Sequence, residues 1–182
     1  MVPREYRVVY SGAQIAARVS ELGAAISPWA ALERSRSGKD IIVVPLLRGA
    51  MVFAADLIRS IQGSVEVAPL ATESYDRTQN QALSDTLVGH IDAASFRGRS
   101  IIVVDDVCDS GRTLELVMRR FREMGADSVK SAVMVNRVKQ SPLIVPDWIG
   151  FEFVGEEWFV GYGMDDQGRY RNLPDICVIE KK

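Results

Sequence analysis

The chain is short of the residues that mark the common alternatives to a plain intracellular fold. Only two of its 182 residues are cysteine, Cys108 and Cys177. They lie far apart with no metal-type spacing, and each follows a β-branched residue, so buried free thiols are expected instead of a disulfide framework. The single histidine, His90, lies in Val88-Gly-His-Ile91 on an expected strand with no visible partner, and it is read as non-catalytic. Neither sign of charge dominates: 22 Lys and Arg against 24 Asp and Glu give a net charge of −2 and a pI near 5.5. That leaves no overall basic field to hold nucleic acid. No apolar run approaches the roughly 20 residues of a membrane span, and Met1-Val-Pro-Arg-Glu-Tyr6 lacks the charged-then-apolar order of a signal peptide. Low-complexity tracts and internal repeats are missing too. The expectation is a soluble cytoplasmic protein with neither a nucleic-acid nor a membrane partner.

What is present is a globular composition, 47% hydrophobic and 25% charged, in a length that suits one domain, 1–182, with a full core. Its most informative stretch is Ile101-Ile-Val-Val-Asp-Asp-Val-Cys-Asp-Ser-Gly-Arg-Thr-Leu114. Four consecutive β-branched residues predict a strand buried on both faces, which belongs to a parallel sheet covered by helices on either side. A short loop carrying Asp109, Ser110, Gly111, Arg112 and Thr113 follows, and a helical pattern begins at Leu114. The loop therefore falls at the carboxyl edge of a central strand, where open α/β sheets bind ligands. Its backbone N–H groups, two hydroxyls and helix N-terminus suit a phosphate. Asp105 and Asp106 suit sugar hydroxyls, which need strong acceptors. The plain alternative is a buried strand followed by a loop in which Asp109 or Ser110 merely caps the helix.

Other segments agree with this architecture. Arg7–Tyr10 reads as a short strand, and Ser11 as the N-cap of a helix through about Ile26, its stripe formed by Ile15, Val19, Leu22 and Ile26. After a polar loop at 35–40, Ile41–Leu47 is a second buried strand. It ends at Leu47-Arg48-Gly49, a turn at the same ligand edge, where Arg48 suits an anion and Gly49 permits close backbone approach. A solvated arginine beside a turn glycine is the plainer reading of that pair. A helix over 50–61 and a third strand over 65–70 come next, then the polar stretch Glu73–Gln81, which has no helical stripe and is long for a structureless loop. The helix after Leu114 ends at Gly125, a natural C-cap, and its Arg119, Arg120 and Arg122 form a solvated face. Strands are expected over 128–135 and 148–153, with further apolar runs to Ile179.

In order, the acidic pair, the Asp-Ser-Gly loop and the Thr resemble the phosphoribosyl pyrophosphate signature of the type I phosphoribosyltransferases. Pro45–Ile61 is similar to the pyrophosphate turn and following helix of the 6-oxopurine (hypoxanthine-guanine) members. Ile149-Gly-Phe151, Phe159–Asp165 and Tyr170-Arg-Asn-Leu173 recur there in the same order. The resemblance implies a mainly parallel central sheet flanked by helices, with a small hood formed by the terminal segments. It also implies transfer of a phosphoribosyl group from phosphoribosyl pyrophosphate to hypoxanthine or guanine in purine salvage. By the same carry-over the Leu47–Arg48 peptide is cis, Ser74-Tyr75 opens a lid, Trp158 stacks on the purine, and the backbone around Phe159 reads the ring edge. Asp165, with Asp105 and Asp106, binds Mg²⁺; Arg48 and Arg171 meet pyrophosphate; Asp109 is the base for purine N7, or else holds its loop. A homo-oligomer, dimer or tetramer, is implied as well. Transfer to xanthine or adenine is an open alternative, as is a nucleotide-sensing RNA-binding regulator on the same fold, against which the acidic pI counts.

One position departs from the pattern. Where those relatives carry a lysine that donates to the exocyclic oxygen of the base, this chain has Asn136, with Arg137 and Lys139 nearby but out of register. An ammonium only donates, whereas an amide donates or accepts, so selection of a keto oxygen is not built in at 136. Weaker base affinity or an altered base preference is the resulting expectation.

Overall fold

The apolar runs do become doubly buried strands. The structure is a computed structural model describing residues 6–71 and 93–179; Ser74, Tyr75 and His90 lie outside the described residues. Its main sheet joins β2 (Ile41–Leu47), β3 (Val65–Val67), β4 (Leu70–Ala71), β5 (Ser100–Cys108), β6 (Ser128–Arg137) and β7 (Trp148–Phe153). The order is β3-β2-β5-β6-β7, β4 also pairs with β2, and every pairing is parallel. Alternate residues of the same strands feed opposite cores. Ile41, Val43, Ile102 and Val104 pack with Ile15, Leu22, Phe53 and Leu57 of α1 (Gly12–Ser37) and α2 (Met51–Ser60). Ile42, Val44, Ile101 and Val103 pack with Leu114, Val117 and Phe121 of α3 (Arg112–Glu123). Each such side chain contributes about 1.5–3 kcal/mol by leaving water, so the sheet is held from both faces.

A second, antiparallel sheet closes one end. β1 (Tyr6–Tyr10) pairs with β9 (Ile176–Ile179), and β9 pairs with β8 (Phe159–Val160). The hood expected from the terminal segments is this sheet. Both cysteines are buried and free, and no helix among the described residues is long and apolar enough to cross a membrane.

Several boundaries differ from the sequence expectation. Helix α1 starts at the Ser11 capping box as expected, but it runs to Ser37 through Pro28 instead of ending near Ile26. Tertiary packing overrides the proline: Ala30 and Glu33 continue the buried face, and Glu33 accepts a 2.7 Å hydrogen bond from the Ser100 hydroxyl. The stop comes at Gly38, in the left-handed conformation that glycine favours. The expected strand over 65–70 is split at Ala68-Pro69 into β3 and β4, because proline has no N–H for the ladder. Helix α3 begins at Arg112, two residues before the apolar stripe, and ends as expected, with Ala126 N–H bonded to Phe121 O beyond Gly125.

Candidate active site

The carboxyl ends of β2, β5 and β6 lie side by side in the sheet, so the turns that follow them share one edge. At the end of β2 the Leu47–Arg48 peptide is cis and Arg48 is exposed. Gly49 lies against the acidic pair: a Cβ there would stand 2.0 Å from Asp106 Oδ2, a distance no side chain tolerates. From the other side the hood presses on the same turn. Gly163, at φ 101°, sits where a Cβ would lie 2.3 Å from Gly49 O, so both glycines are required by contact.

The hood loop that carries Gly163 is internally tied. Arg171 Nη1 donates to Gly163 O at 2.6 Å, and its Nη2 pairs with Asp165 Oδ1 at 2.5 Å. Gly168 N–H donates to Asp165 Oδ2 at 2.6 Å. Tyr162 donates its hydroxyl to Asp56 Oδ2 on α2 at 2.9 Å, anchoring the loop to the helix after the cis turn. Burial, and then the acceptor Asp56 beside it, push the Tyr162 phenol strongly up, so it stays a donor.

Asp105 and Asp106 are half-buried in the last turns of β5. Desolvation raises the Asp105 carboxyl well above its ordinary value, and the Asp106 charge beside it adds to the rise. Asp106 is raised too, again by burial, although backbone N–H bonds and the Arg171 charge pull it back. Two acids under mutual repulsion at a ligand edge welcome hydroxyl donors or a cation. The following loop leaves Asp109 and Ser110 exposed, and α3 starts from Gly111 (φ 76°) with no side chain capping it. Of the capping alternative one long bond remains, from the Arg112 N–H to Ser110 Oγ at 3.4 Å. The N–H groups that follow it at the start of α3 open a ready anion site flanked by Arg112 and Thr113.

The end of β6 supplies groups whose roles sequence reasoning missed. Arg137 is buried at 8% exposure; Nη1 donates to Gly155 O at 2.6 Å and Nη2 to Glu157 O. Its guanidinium lies 4.6 Å from the Phe159 ring centroid and 5.8 Å from that of Phe153. Its Nε is 3.7 Å from Asp109 Oδ1, and Lys139 Nζ is 3.1 Å from the same oxygen. Their signal was Asn136-Arg-Val-Lys139, two cations at the end of a buried strand. Asn136 itself is half-buried, in register with Cys108 and Glu152. Trp158 is 60% exposed and held by its indole N–H on Asp165 O at 2.7 Å. Phe159 points the other way, into the core.

The donor set suits Mg²⁺ of one kind only. Among the described residues no three ligating side chains gather at one point, so a protein-built cage is not offered. Hard carboxylate oxygens at Asp105, Asp106 and Asp165 fit a cation that arrives on substrate oxygens.

Comparison with known proteins points to one family. The family model for the phosphoribosyl transferase domain matches residues 18–167. A hypoxanthine phosphoribosyltransferase of Escherichia coli K12 is 34% identical over 174 residues, 94% of this chain and 94% of its own length. A hypoxanthine-guanine phosphoribosyltransferase of Bacillus subtilis 168 is 32% identical over 177 residues, 96% of this chain and 93% of its own. The crystal structure of a hypoxanthine-guanine phosphoribosyltransferase from Bacillus anthracis superposes with a TM-score of 0.76 at 30% identity, covering 95% of this chain and 97% of that one.

Proposed function

The chain belongs to the phosphoribosyltransferase family, and from that premise we propose that it is a purine-salvage enzyme. It transfers the 5-phosphoribosyl group of phosphoribosyl pyrophosphate to hypoxanthine or guanine, giving the nucleoside monophosphate and pyrophosphate. The observation that carries this reading is the three-way contact of Asp106, Gly49 and Gly163, which brings a sugar-binding acid pair, an anion turn and Arg171 to one point. Asp105 and Asp106 accept from the ribose hydroxyls, and the N–H groups opening α3, with Ser110 and Thr113, take the 5-phosphate. Arg48 and Arg171 neutralise the pyrophosphate. Trp158 gives the purine ring a flat face. Phe159 contributes backbone only, since its ring is core.

In the transfer, a purine ring nitrogen donates its lone pair to C1′ as the C1′–O bond breaks, and that bond's electrons leave with pyrophosphate. The proton displaced from N7 passes to the Asp109 carboxylate. The sugar is cationic at the crest of this step, so positioning and charge neutralisation do most of the work. Asp105, Asp106 and Asp165 would help hold Mg²⁺ that arrives on substrate oxygens, and the cation would offset charge on the pyrophosphate leaving group. A homo-oligomer and a cytoplasmic setting belong to the same proposal.

The test is pyrophosphate release with a panel of hypoxanthine, guanine, xanthine and adenine. Asp109→Asn is expected to lower turnover at least 100-fold, the usual range for a removed general base, while donor affinity stays within a few-fold. Equal loss of both would assign Asp109 to holding its loop.

A further inference from the structure

We infer that Lys139, reaching back from the segment after β6, is the group that reads the exocyclic oxygen of the acceptor base. The inference rests on the phosphoribosyl-transfer reading above and assigns the specificity element of that site.

The argument begins at Asp109. A 6-oxopurine presents N7 and O6 side by side on one edge, so an enzyme that takes the N7 proton needs an acceptor there and a donor beside it. Lys139 Nζ stands 3.1 Å from Asp109 Oδ1, so the two side chains already form an acceptor and a donor at hydrogen-bond spacing. Arg137 is the other cation at Asp109, but its two terminal nitrogens are committed to Gly155 O and Glu157 O and it is buried. Lys139 is the more accessible of the two, its side chain 37% exposed.

The segment bearing Lys139 is fixed against the phosphate loop. Leu143 N–H donates to Ser110 O at 3.4 Å, and Ile144 packs so closely on Gly111 that a Cβ there would lie 2.7 Å from its Cγ2. Arg137 ties the same strand end to the chain just before Trp158. Asp109, Lys139 and the indole platform are thus linked through one short stretch of chain.

The pair also couples chemistry to recognition. While Asp109 is charged it holds the ammonium; once it takes the N7 proton the carboxyl is neutral and the ammonium turns to the carbonyl oxygen. Nothing beyond the acceptor's own proton is needed. Asn136 is then not the selective group, and preference for a keto oxygen is restored from three residues further on.

The experiment measures binding of inosine 5′-monophosphate and of purine riboside 5′-monophosphate, which lacks the 6-oxygen, by calorimetry. The wild type is expected to prefer the oxo nucleotide. Lys139→Met is expected to weaken it by about 10- to 100-fold, the loss of one charged hydrogen bond, and to leave the 6-unsubstituted nucleotide within about 2-fold. Lys139→Arg should restore most of the gap. Lys139 pairs only at the surface, so its removal spares the fold. Equal weakening of both nucleotides by Lys139→Met, or no change in either, overturns the inference. So does closure of the gap by Asn136→Ala in place of Lys139→Met. If the wild type binds phosphoribosyl pyrophosphate but neither nucleotide, the purine reading itself falls, a result distinct from the others.

Discussion

Replacing Arg137 by alanine should cost the fold about 3–5 kcal/mol, the range for breaking a buried, hydrogen-bonded charge. The magnitude follows from what the guanidinium touches. Two charge-assisted bonds, to Gly155 O and Glu157 O, are worth about 1.5–3 kcal/mol each. The face-on contacts with Phe159 and Phe153 add about 1–2 kcal/mol in this dry setting. The pair with Asp109 adds well under about 1 kcal/mol, since that carboxylate's side chain is 53% exposed. These contributions overlap, which keeps the expected total below their sum. Urea unfolding followed by tryptophan fluorescence and circular dichroism gives the difference directly. Arg137→Lys is a useful partner variant: a point charge cannot fork to two carbonyls, so it should recover less than half of the loss. A shift under 1 kcal/mol for Arg137→Ala, with the slope unchanged, would refute the reasoning, because the two carbonyls would then have been satisfied without the arginine.

Two further outcomes are expected. Gly49→Ala drives a methyl to within 2.0 Å of Asp106 Oδ2, so the carboxylate or the turn must move; donor affinity, by calorimetry with phosphoribosyl pyrophosphate and Mg²⁺, should fall at least about tenfold for a stability cost of about 1–3 kcal/mol, and unchanged affinity would deny Asp106 its role. Cys108 is raised to about 11, first by burial and then by the nearby Asp105 and Asp109 charges. Its thiol stays protonated in the folded state while the unfolded thiol ionises near 9. The fold therefore loses stability as pH rises from 9 towards 11, by up to about 2–3 kcal/mol, and a Cys108→Ala variant should lack that part of the loss. Parallel urea midpoints for the two proteins across that range would contradict the assignment.

The parts of the molecule that could be read from sequence are those whose causes are local. Ile41–Leu47 and Ile101–Val104 announce burial on both faces because each residue must be apolar whichever way it points, and the run from Asp105 to Thr113 carries its acids, glycine and helix start within a few residues. Arg137 was illegible for the opposite reason. Its value lies in carbonyls at Gly155 and Glu157 and in the ring of Phe159, and nothing in Val135-Asn-Arg-Val138 points to them. The end of α1 was misplaced because the apolar stripe stops at Ile26, while the buried positions beyond it, Ala30 and Glu33, are explained only by the sheet behind them. Trp158 and Phe159 were undecidable by pattern: β8 is two residues long, too short to show which neighbour faces the core.

The antiparallel hood also bears on the order in which a ribosome delivers the site. Tyr6–Tyr10 is made before the whole parallel sheet, yet its hydrogen-bonded neighbour, Ile176–Ile179, is made after it. The parallel sheet, with Asp105, Asp106 and the loop that follows them, has all its strands by Phe153 and can assemble on the nascent chain, whereas Trp158, Asp165 and Arg171 come later. A chain cut short by a premature stop before Trp158 would therefore keep every strand of the parallel sheet and lose the whole hood loop that carries Asp165 and Arg171.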